Sequence, residues 1–581
     1  GMRISTDPKE IKRKIGAWEG FLEKAPAKIA ELRSTLGGSG SQRTLEKLTT
    51  HVAVVGCGMA GASAALEAAE RQMQVVLVDM FEGGGSTRRS GGVVYAGGGT
   101  SVQSRHGVAD TVEGMANYLK RECKGAVSDD GVANFCAESA ANVSWLERHG
   151  VDFSGNLYES KTSYPPSDTS LYLSGNEKAY PYYSGSVKPA PRGHRPLGDH
   201  LTGNVLYEVL ERALESNPLI EIRRHVRCEQ LILEDDRVVG VVGKILPPSA
   251  HSMHTMLGEI AAMSSIIGDS LGQRKDPRPL WARCVEQQAA LWAEVGSPIE
   301  LRSSRGVVLA TGGFAFNAEM VEKYCPKYLG LCPLGNLGDQ GMGIQMALAA
   351  GAASARMDRC SAWKFINPPV SFVKGILLDP TGKRVRNEDC YGATLADELV
   401  QRFDGKGWLL LDQKGVDEAM ASLGSLNPDQ SAVALANIFK NREQADTLED
   451  LATACGMASA EVAKSVEDYN SGASRGEDAL HKLKEYLTEI REPPFIAINM
   501  DVRSQWWPTP LMTLGGLCLN DETGAVLNLR GESIPGLYAA GRTAVGVCSN
   551  SYVSGLSIAD CLHGGRRAGR SVAGVVHASR L

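Results

Sequence analysis

The sequence predicts an α/β protein on three observations. A short apolar strand runs into a glycine-rich turn, an alanine-rich helix follows at once, and a second apolar strand ends on an acidic residue. Residues 51–55, His-Val-Ala-Val-Val, form the first strand, and the turn is Gly56-Cys57-Gly58-Met59-Ala60-Gly61. Residues 61–70 read as the helix, and Val75-Val76-Leu77-Val78 as the second strand, closed by Asp79. A glycine turn between strand and helix in a βαβ unit is the Rossmann-like dinucleotide-binding fingerprint. Gly56 makes the tight turn, Gly58 lets backbone approach a pyrophosphate on the helix N-terminus, and Gly61 lets helix and strand pack closely. Asp79 lies 18 residues past Gly61, where a carboxylate accepts from ribose hydroxyls.

The chain of 581 residues is too long for one hydrophobic core, so more than one domain is expected. Residues 7–34 read as an amphipathic helix opened by Asp7-Pro8, followed by the linker Gly37-Gly38-Ser39-Gly40-Ser41; residues 1–46 are a helical lead. Residues 230–245 alternate as a hairpin with its turn at Asp235-Asp236. Residues 247–298, rich in Met, Ala and Gln, read as a helical insertion between strands. A strand returns at Gly306-Val307-Val308-Leu309-Ala310, and a last strand and helix run from Gly536. Residues 361–501 are a mixed α+β stretch, which leaves 47–360 and 502–581 for the dinucleotide domain.

Composition narrows the function. With 61 basic and 67 acidic residues the net charge is −6, which gives no electrostatic case for nucleic acid or an anionic membrane. The 13 cysteines are dispersed without a C-x-x-C, so zinc, thioredoxin-type and haem-attachment motifs are absent and no metal is expected. Dispersed cysteines suit a reducing cytoplasm. The N-terminus is charged and helical in pattern rather than a signal peptide, and no apolar run reaches membrane-spanning length.

Further glycine turns identify the cofactor. Gly83-Gly84-Gly85-Ser86-Thr87 with Ser90-Gly91-Gly92 forms a second glycine-rich loop. Ala310-Thr311-Gly312-Gly313 and Gly536-Leu537-Tyr538-Ala539-Ala540-Gly541-Arg542 are two more strand-to-glycine turns. Four such turns exceed what a nicotinamide fold needs and point to the longer FAD. On these motifs the chain resembles the fumarate reductase/succinate dehydrogenase flavoprotein superfamily over roughly residues 50–570. The resemblance implies an FAD-binding Rossmann-like domain with a discontinuous cap, here 361–501, closing over the isoalloxazine. It implies FAD contacts at Gly56, Gly58, Ala60, Gly61, Asp79, Ser86, Ser90, Gly91, Gly92, Ala310, Thr311, Gly312, Gly541, Arg542, Leu556 and Ser557. Covalent members carry a His before the paired glycines; this chain has none between His51 and His106, so FAD is expected to be noncovalent.

Dicarboxylate reductases of that superfamily hold two carboxylates with cations. The matching stretches here are Asn387-Glu388-Asp389-Cys390-Tyr391-Gly392, Leu511-Met512-Thr513-Leu514-Gly515-Gly516 and Ser549-Asn550-Ser551-Tyr552-Val553-Ser554, and they lack all three cations. Two tyrosines, a serine and apolar surface resemble the 3-ketosteroid dehydrogenase branch instead. Ser90–Gly99, Tyr172-Leu173-Ser174-Gly175-Asn176-Glu177 with Pro191-Arg192-Gly193-His194, and Asn550–Gly555 carry that resemblance. The Tyr-x-Ser-Gly form is closest to the enzymes that place a double bond between carbons 4 and 5.

The chemistry agrees with this reading. Desaturation beside a ketone needs a donor to the carbonyl, a base for the α-proton and a hydride acceptor. Tyr552 is the candidate donor, Ser554 the proton acceptor and Tyr391 its relay. Two other readings stand beside it: a flavin-linked reductase of an unsaturated acid, and an electron-passing flavin subunit. The expected partner is an apolar ketosteroid-like molecule, with an external electron acceptor that the sequence does not name. Asp560 reads as structural and His194 as a loop hydrogen-bonder; Trp506-Trp507 fits either an apolar pocket or a core seam.

Overall fold

A computed structural model describes residues 8–36, 44–183, 188–267, 278–426 and 428–574. The expected linker at 37–41 lies outside them. The principal sheet has eight strands. Its main path runs Ala525–Leu527, Ser533–Ala539, Ser297–Leu309, Glu46–Val55, Val75–Val78 and Ile220–Arg223. Glu46–Val55 pairs in parallel with both Ser297–Leu309 and Val75–Val78, and Ser297–Leu309 pairs in parallel with Ser533–Ala539. These four parallel strands therefore end on one edge of the sheet, where Gly56, Asp79, Ala310 and Ala540 leave them. In open α/β sheets that edge is the ligand edge.

Two strands are longer than the sequence reading. Glu46–Val55 starts five residues before His51. Its first half alternates exposed and half-buried residues, and only the second half is the continuous apolar run that marks a buried strand. Ser297–Leu309 starts well before Gly306 because its front half pairs antiparallel with Arg237–Ile245, itself hairpinned to Val226–Glu234. Asp235 and Asp236 both adopt positive φ, 49° and 60°, as a two-residue type I′ turn requires. The stretch 297–298, assigned to the helical insertion, is thus strand.

Between those strands lie the helices Pro248–Ile267 and Leu280–Val295, and the N-terminal helix Pro8–Thr35 packs on both. Ile29 and Leu32 bury against Met253, Leu291 and Trp292. A separate antiparallel sheet, ordered Ile376–Leu378, Trp408–Leu411, Phe495–Asn499 and Arg442–Ala445, lies within residues 361–501. Its helices Leu448–Cys455 and Ser459–Arg475 bury Leu451, Val462, Val466 and Tyr469 in one cluster with the sheet. A small sheet of Val94–Tyr95, Gly193–His194, Thr169–Tyr172 and Asn156–Tyr158 carries Tyr172 at a strand end. Among the described residues no helix is long and apolar enough to cross a membrane, and no His/Cys/Asp/Glu cluster could hold a metal ion.

Candidate active site

The cradle begins where Glu46–Val55 ends. Gly56 has φ +101°, and a Cβ there would run into the Ala310 carbonyl. The turn therefore seats the first glycine loop directly on the end of the neighbouring strand. At Gly58 a Cβ would meet nothing nearer than 3.8 Å, so this backbone stays open to a close-packed ligand. Helix Met59–Ala69 starts without a side-chain cap. Helix Leu556–Val572, entered through Gly555 at φ +89°, is uncapped as well. The two helices are joined by the Arg566–Glu67 bridge, 2.7 Å, and Gly541 lies against Ala60. Leu556 and Ser557 form the first turn of the second helix. Thr87 Oγ1 takes the Met59 N–H and the Val553 carbonyl takes the Leu556 N–H, so the later first-turn N–H groups and the positive dipole ends are what suit anionic or electron-rich groups.

Arg542 follows the last strand. Its Nη2 lies 3.2 Å from Asp339 Oδ2, while its buried Nη1 has no partner among the described residues. Asp339 also accepts from Ser86 Oγ at 2.5 Å, Asn336 N at 3.1 Å and Gly313 N at 3.2 Å. It is the hub of the cradle, and the sequence reading missed it; its signal was an acid in the glycine-punctuated run Gly335-Asn336-Leu337-Gly338-Asp339-Gln340-Gly341. Asp79 holds its own loop: its oxygens accept from Cys57 N at 2.7 Å and Phe81 N at 2.8 Å. Burial raises its pKa against those N–H groups.

The remaining cradle positions turn inward. Ser90 Oγ donates to the Thr87 carbonyl, the Gly91 carbonyl accepts from Thr202 Oγ1, and Gly92 N donates to Ser90 Oγ. Thr311 Oγ1 accepts from Gly343 N at 3.2 Å, and Gly312 abuts Asp339. An orphan guanidinium N–H, two uncapped helix starts and an open Gly58 are the donor set that the pyrophosphate of an extended dinucleotide requires. The residues present fit FAD.

A second polar group lies in aromatic surroundings. Tyr552 stacks on Trp363, with centroids 5.2 Å apart at 10°, and meets the Tyr391 ring edge-on at 6.2 Å. Phe365 packs on Tyr391 at 5.1 Å. The Tyr172 hydroxyl lies 3.4 Å from Ser554 Oγ, and the Ser554 hydroxyl faces that of Tyr391. Ser174 Oγ donates to the Ser554 carbonyl at 3.0 Å, and the Gly555 backbone faces the Tyr552 hydroxyl. Tyr391, remote in sequence, and the neighbours Tyr552 and Ser554 are thus together. Burial pushes the Tyr172, Tyr391 and Tyr552 phenols above their ordinary value, so all three are neutral donors near neutrality.

Beneath this chamber lies a carboxylate that the sequence reading did not single out. Glu122 accepts from Tyr118 Oη at 2.7 Å, Asn176 Nδ2 at 2.8 Å and Ser551 Oγ at 2.9 Å. Asn176 Oδ1 in turn accepts from Tyr391 N at 2.6 Å. One buried group therefore fixes both the segment before Tyr552 and the backbone of Tyr391. Tyr172, Asn176 and Glu122 were missed as functional residues, although Tyr172 and Asn176 stand inside a segment that carried the family resemblance.

Other candidates fall into structural places. His194 bridges Thr100 Oγ1 at 2.8 Å and the Arg192 carbonyl at 3.0 Å, and burial lowers its pKa to about 4, so it is neutral. Asp560 accepts from Val547 N at 3.3 Å, and burial raises it to about 6. Trp507 is buried with Lys364 Nζ 4.6 Å above its ring, whereas Trp506 is exposed.

Fold and donor set together define a dinucleotide-binding flavoprotein. Residues 51–557 match the family described as FAD binding domain. The chain is similar to the 3-oxo-5-alpha-steroid 4-dehydrogenase of Comamonas testosteroni, 33% identical over 500 residues that cover 84% of this chain and 92% of that protein. It is similar in structure to the 3-ketosteroid-delta4-(5alpha)-dehydrogenase of Rhodococcus jostii RHA1, solved with 4-androstene-3,17-dione. That match has a TM-score of 0.75 and 30% identity over 92% of this chain and 98% of the other. It also resembles a probable fumarate reductase of Shewanella frigidimarina, 27% identical over 90% of this chain and 75% of that protein. The chain belongs to the FAD binding domain family, and it is an FAD-dependent oxidoreductase.

Proposed function

We propose that this chain desaturates an apolar ketone of the 3-ketosteroid class. The observation that carries the reading is the meeting of the Tyr172, Tyr391 and Ser554 hydroxyls beside the Tyr552 ring, against Trp363 and Phe365. The names of the Comamonas and Rhodococcus relatives agree with it. Bound FAD supplies the hydride acceptor. Tyr552, held neutral by burial, donates to the ketone oxygen as an oxyanion donor. That polarisation acidifies the α-carbon. Ser554 takes the α-proton as it hands its own to Tyr391 or Tyr172, and that tyrosine, neutral through burial, gives up its phenolic proton toward solvent. A serine hydroxyl is a weak base alone, so this relay is what activates it.

Residues 361–501 serve in this reading as a cap. Trp363, Phe365 and Tyr391 come from it, while Tyr172, Tyr552 and Ser554 come from outside it, so closure completes the chamber. Cations in and around the chamber walls are engaged. Lys364 Nζ donates to the Asp501 and Trp507 carbonyls, Arg359 bridges Asp397, and Lys161 reaches the Asp389 carbonyl. This weighs against a dicarboxylate substrate. FAD is read as noncovalent, so acid precipitation should release the yellow colour to the supernatant; colour kept in the pellet would refute it. Thirteen unpaired cysteines fit a reducing compartment, and we assign the cytoplasm.

The test is anaerobic mixing with a panel of 5α-reduced 3-ketosteroids, watching the flavin bleach. At least one steroid should bleach it. Bleaching by none of them, together with reoxidation of the chemically reduced protein by fumarate, would move the assignment to the unsaturated-acid reductases.

A further inference from the structure

The helices Pro248–Ile267 and Leu280–Val295 supply none of the hydroxyl-chamber residues named above, yet they grip three separate loops of the cradle. The first loop follows Asp79. Phe81 stacks on His254, with centroids 4.3 Å apart at 6°, and lies against Gly258. Glu82 Oε1 accepts from Thr255 Oγ1 at 3.2 Å and bonds His225 Nε2 at 2.7 Å, and His225 reaches His254 at 3.0 Å. The second loop is the glycine-rich one, where Arg89 pairs with Glu259 at 2.5 Å. The third precedes Gly341: Gln340 Nε2 donates to Gln288 Oε1 at 2.7 Å, next to the Asp339 hub. His254 and Gln288 themselves meet at 3.1 Å, so the contacts to the first and third loops form one connected network.

Such wiring is denser than packing of a surface insertion needs, and its centre is buried. His254 is fully buried and Gln288 nearly so. Ile11, Ile15 and Leu22 of the N-terminal helix share an apolar cluster with Phe81, Leu257 and Ile260, which braces the same face. In a βαβ nucleotide site the ribose faces the end of the second strand. That end is Asp79, so the gripped loop Met80-Phe81-Glu82 belongs to the adenosine side of the cofactor.

We infer that these two helices, braced by Pro8–Thr35, are a clamp that holds the adenosine half of FAD by fixing the loops around it. The clamp acts through loop position: Gln288, Glu259 and His254 hold protein groups and set how easily the cradle opens. This inference rests on FAD binding and is independent of the ketone assignment.

The test uses the full chain with Gln288→Leu and Glu259→Gln, and Met256→Ala on the exposed side of the same helix as control. FAD release from the holoprotein is followed by the rise in free-flavin fluorescence. ADP, which carries the adenosine half alone, is titrated into each apoprotein, and apoprotein melting is recorded beside it. The clamp predicts release about tenfold faster in both loop variants, ADP binding weakened by a similar factor, and neither change in the control. Unchanged release in both, with lower apoprotein melting, would make the helices mere packing. Faster release with unchanged ADP affinity would take the contact off the adenosine half. Should Gln288→Leu fail to fold, the half-exposed Glu259→Gln decides alone.

Discussion

In the cradle, the ligand-facing groups are mostly backbone: the Gly58 approach, the N-termini of Met59–Ala69 and Leu556–Val572, and one guanidinium N–H of Arg542. Two buried carboxylates, Asp79 and Asp339, hold those backbones in place. In the chamber the groups are side-chain hydroxyls on segments more than 150 residues apart in the chain, and Glu122 holds them. A backbone-built site needs only a short motif and its flanking strand and helix. A hydroxyl-built site needs the whole tertiary fold before its members meet. A substitution in the cradle should therefore act on cofactor affinity, and one in the chamber on turnover.

Ser554→Ala should give the largest effect. It removes the proton path and leaves the carbonyl contact, so flavin reduction should slow by about 10²–10⁴-fold with ketone binding nearly unchanged. Stopped-flow bleaching against a binding titration reads both. A parallel loss of ketone affinity would mean that the serine only shapes the pocket.

Glu388→Gln sharpens the comparison from the cap side. Glu388 is fully buried, paired with Lys482 at 2.9 Å and Arg384 at 2.7 Å. Burial alone would raise its pKa, but those two cations hold it down, to about 2. Breaking this buried network should cost about 3–5 kcal/mol, read by denaturant unfolding. Because the folded pKa lies below the ordinary 4.5, this stability is present above pH 4.5 and is lost as pH falls toward 2. The variant should lack that part of the acid dependence. An unchanged acid limb would mean that other carboxylates govern it.

Asp79→Ala should be smaller and mixed. It removes any carboxylate bond to the ribose, and it also orphans the N–H groups of Cys57 and Phe81. FAD affinity should weaken by about 1.5–3 kcal/mol, and apoprotein stability should fall by roughly 1–3 kcal/mol. Calorimetric FAD titration and thermal melting separate the two. Lower stability at wild-type affinity would make Asp79 a purely internal strut.

The same contrast explains what could be read from the chain. Gly56, Gly58, Gly61 and Asp79 were legible because motif, strand and helix are contiguous. The polar first halves of Glu46–Val55 and Ser297–Leu309 were not, since their pairing is set by neighbours and their sequences alternate. Tyr391, Tyr552 and Ser554 came through family resemblance, and nothing local marks their meeting. Asp339, Glu122 and Asn176 stayed hidden because their importance lies in the hydrogen bonds they collect from remote backbone. The helices within 247–298 read as helical, but their grip on the cradle depends on long-range pairs such as Glu259–Arg89 and Gln288–Gln340.

The central claim is that Tyr552 polarises a ketone beside the flavin. The most direct measurement is single-turnover flavin reduction by a 3-ketosteroid substrate in Tyr552→Phe, which keeps the ring on Trp363 and removes only the hydroxyl. The account predicts reduction slower by about 10²–10³-fold, as for loss of one oxyanion donor. Reduction at the wild-type rate would contradict it and leave Tyr552 as an aromatic wall.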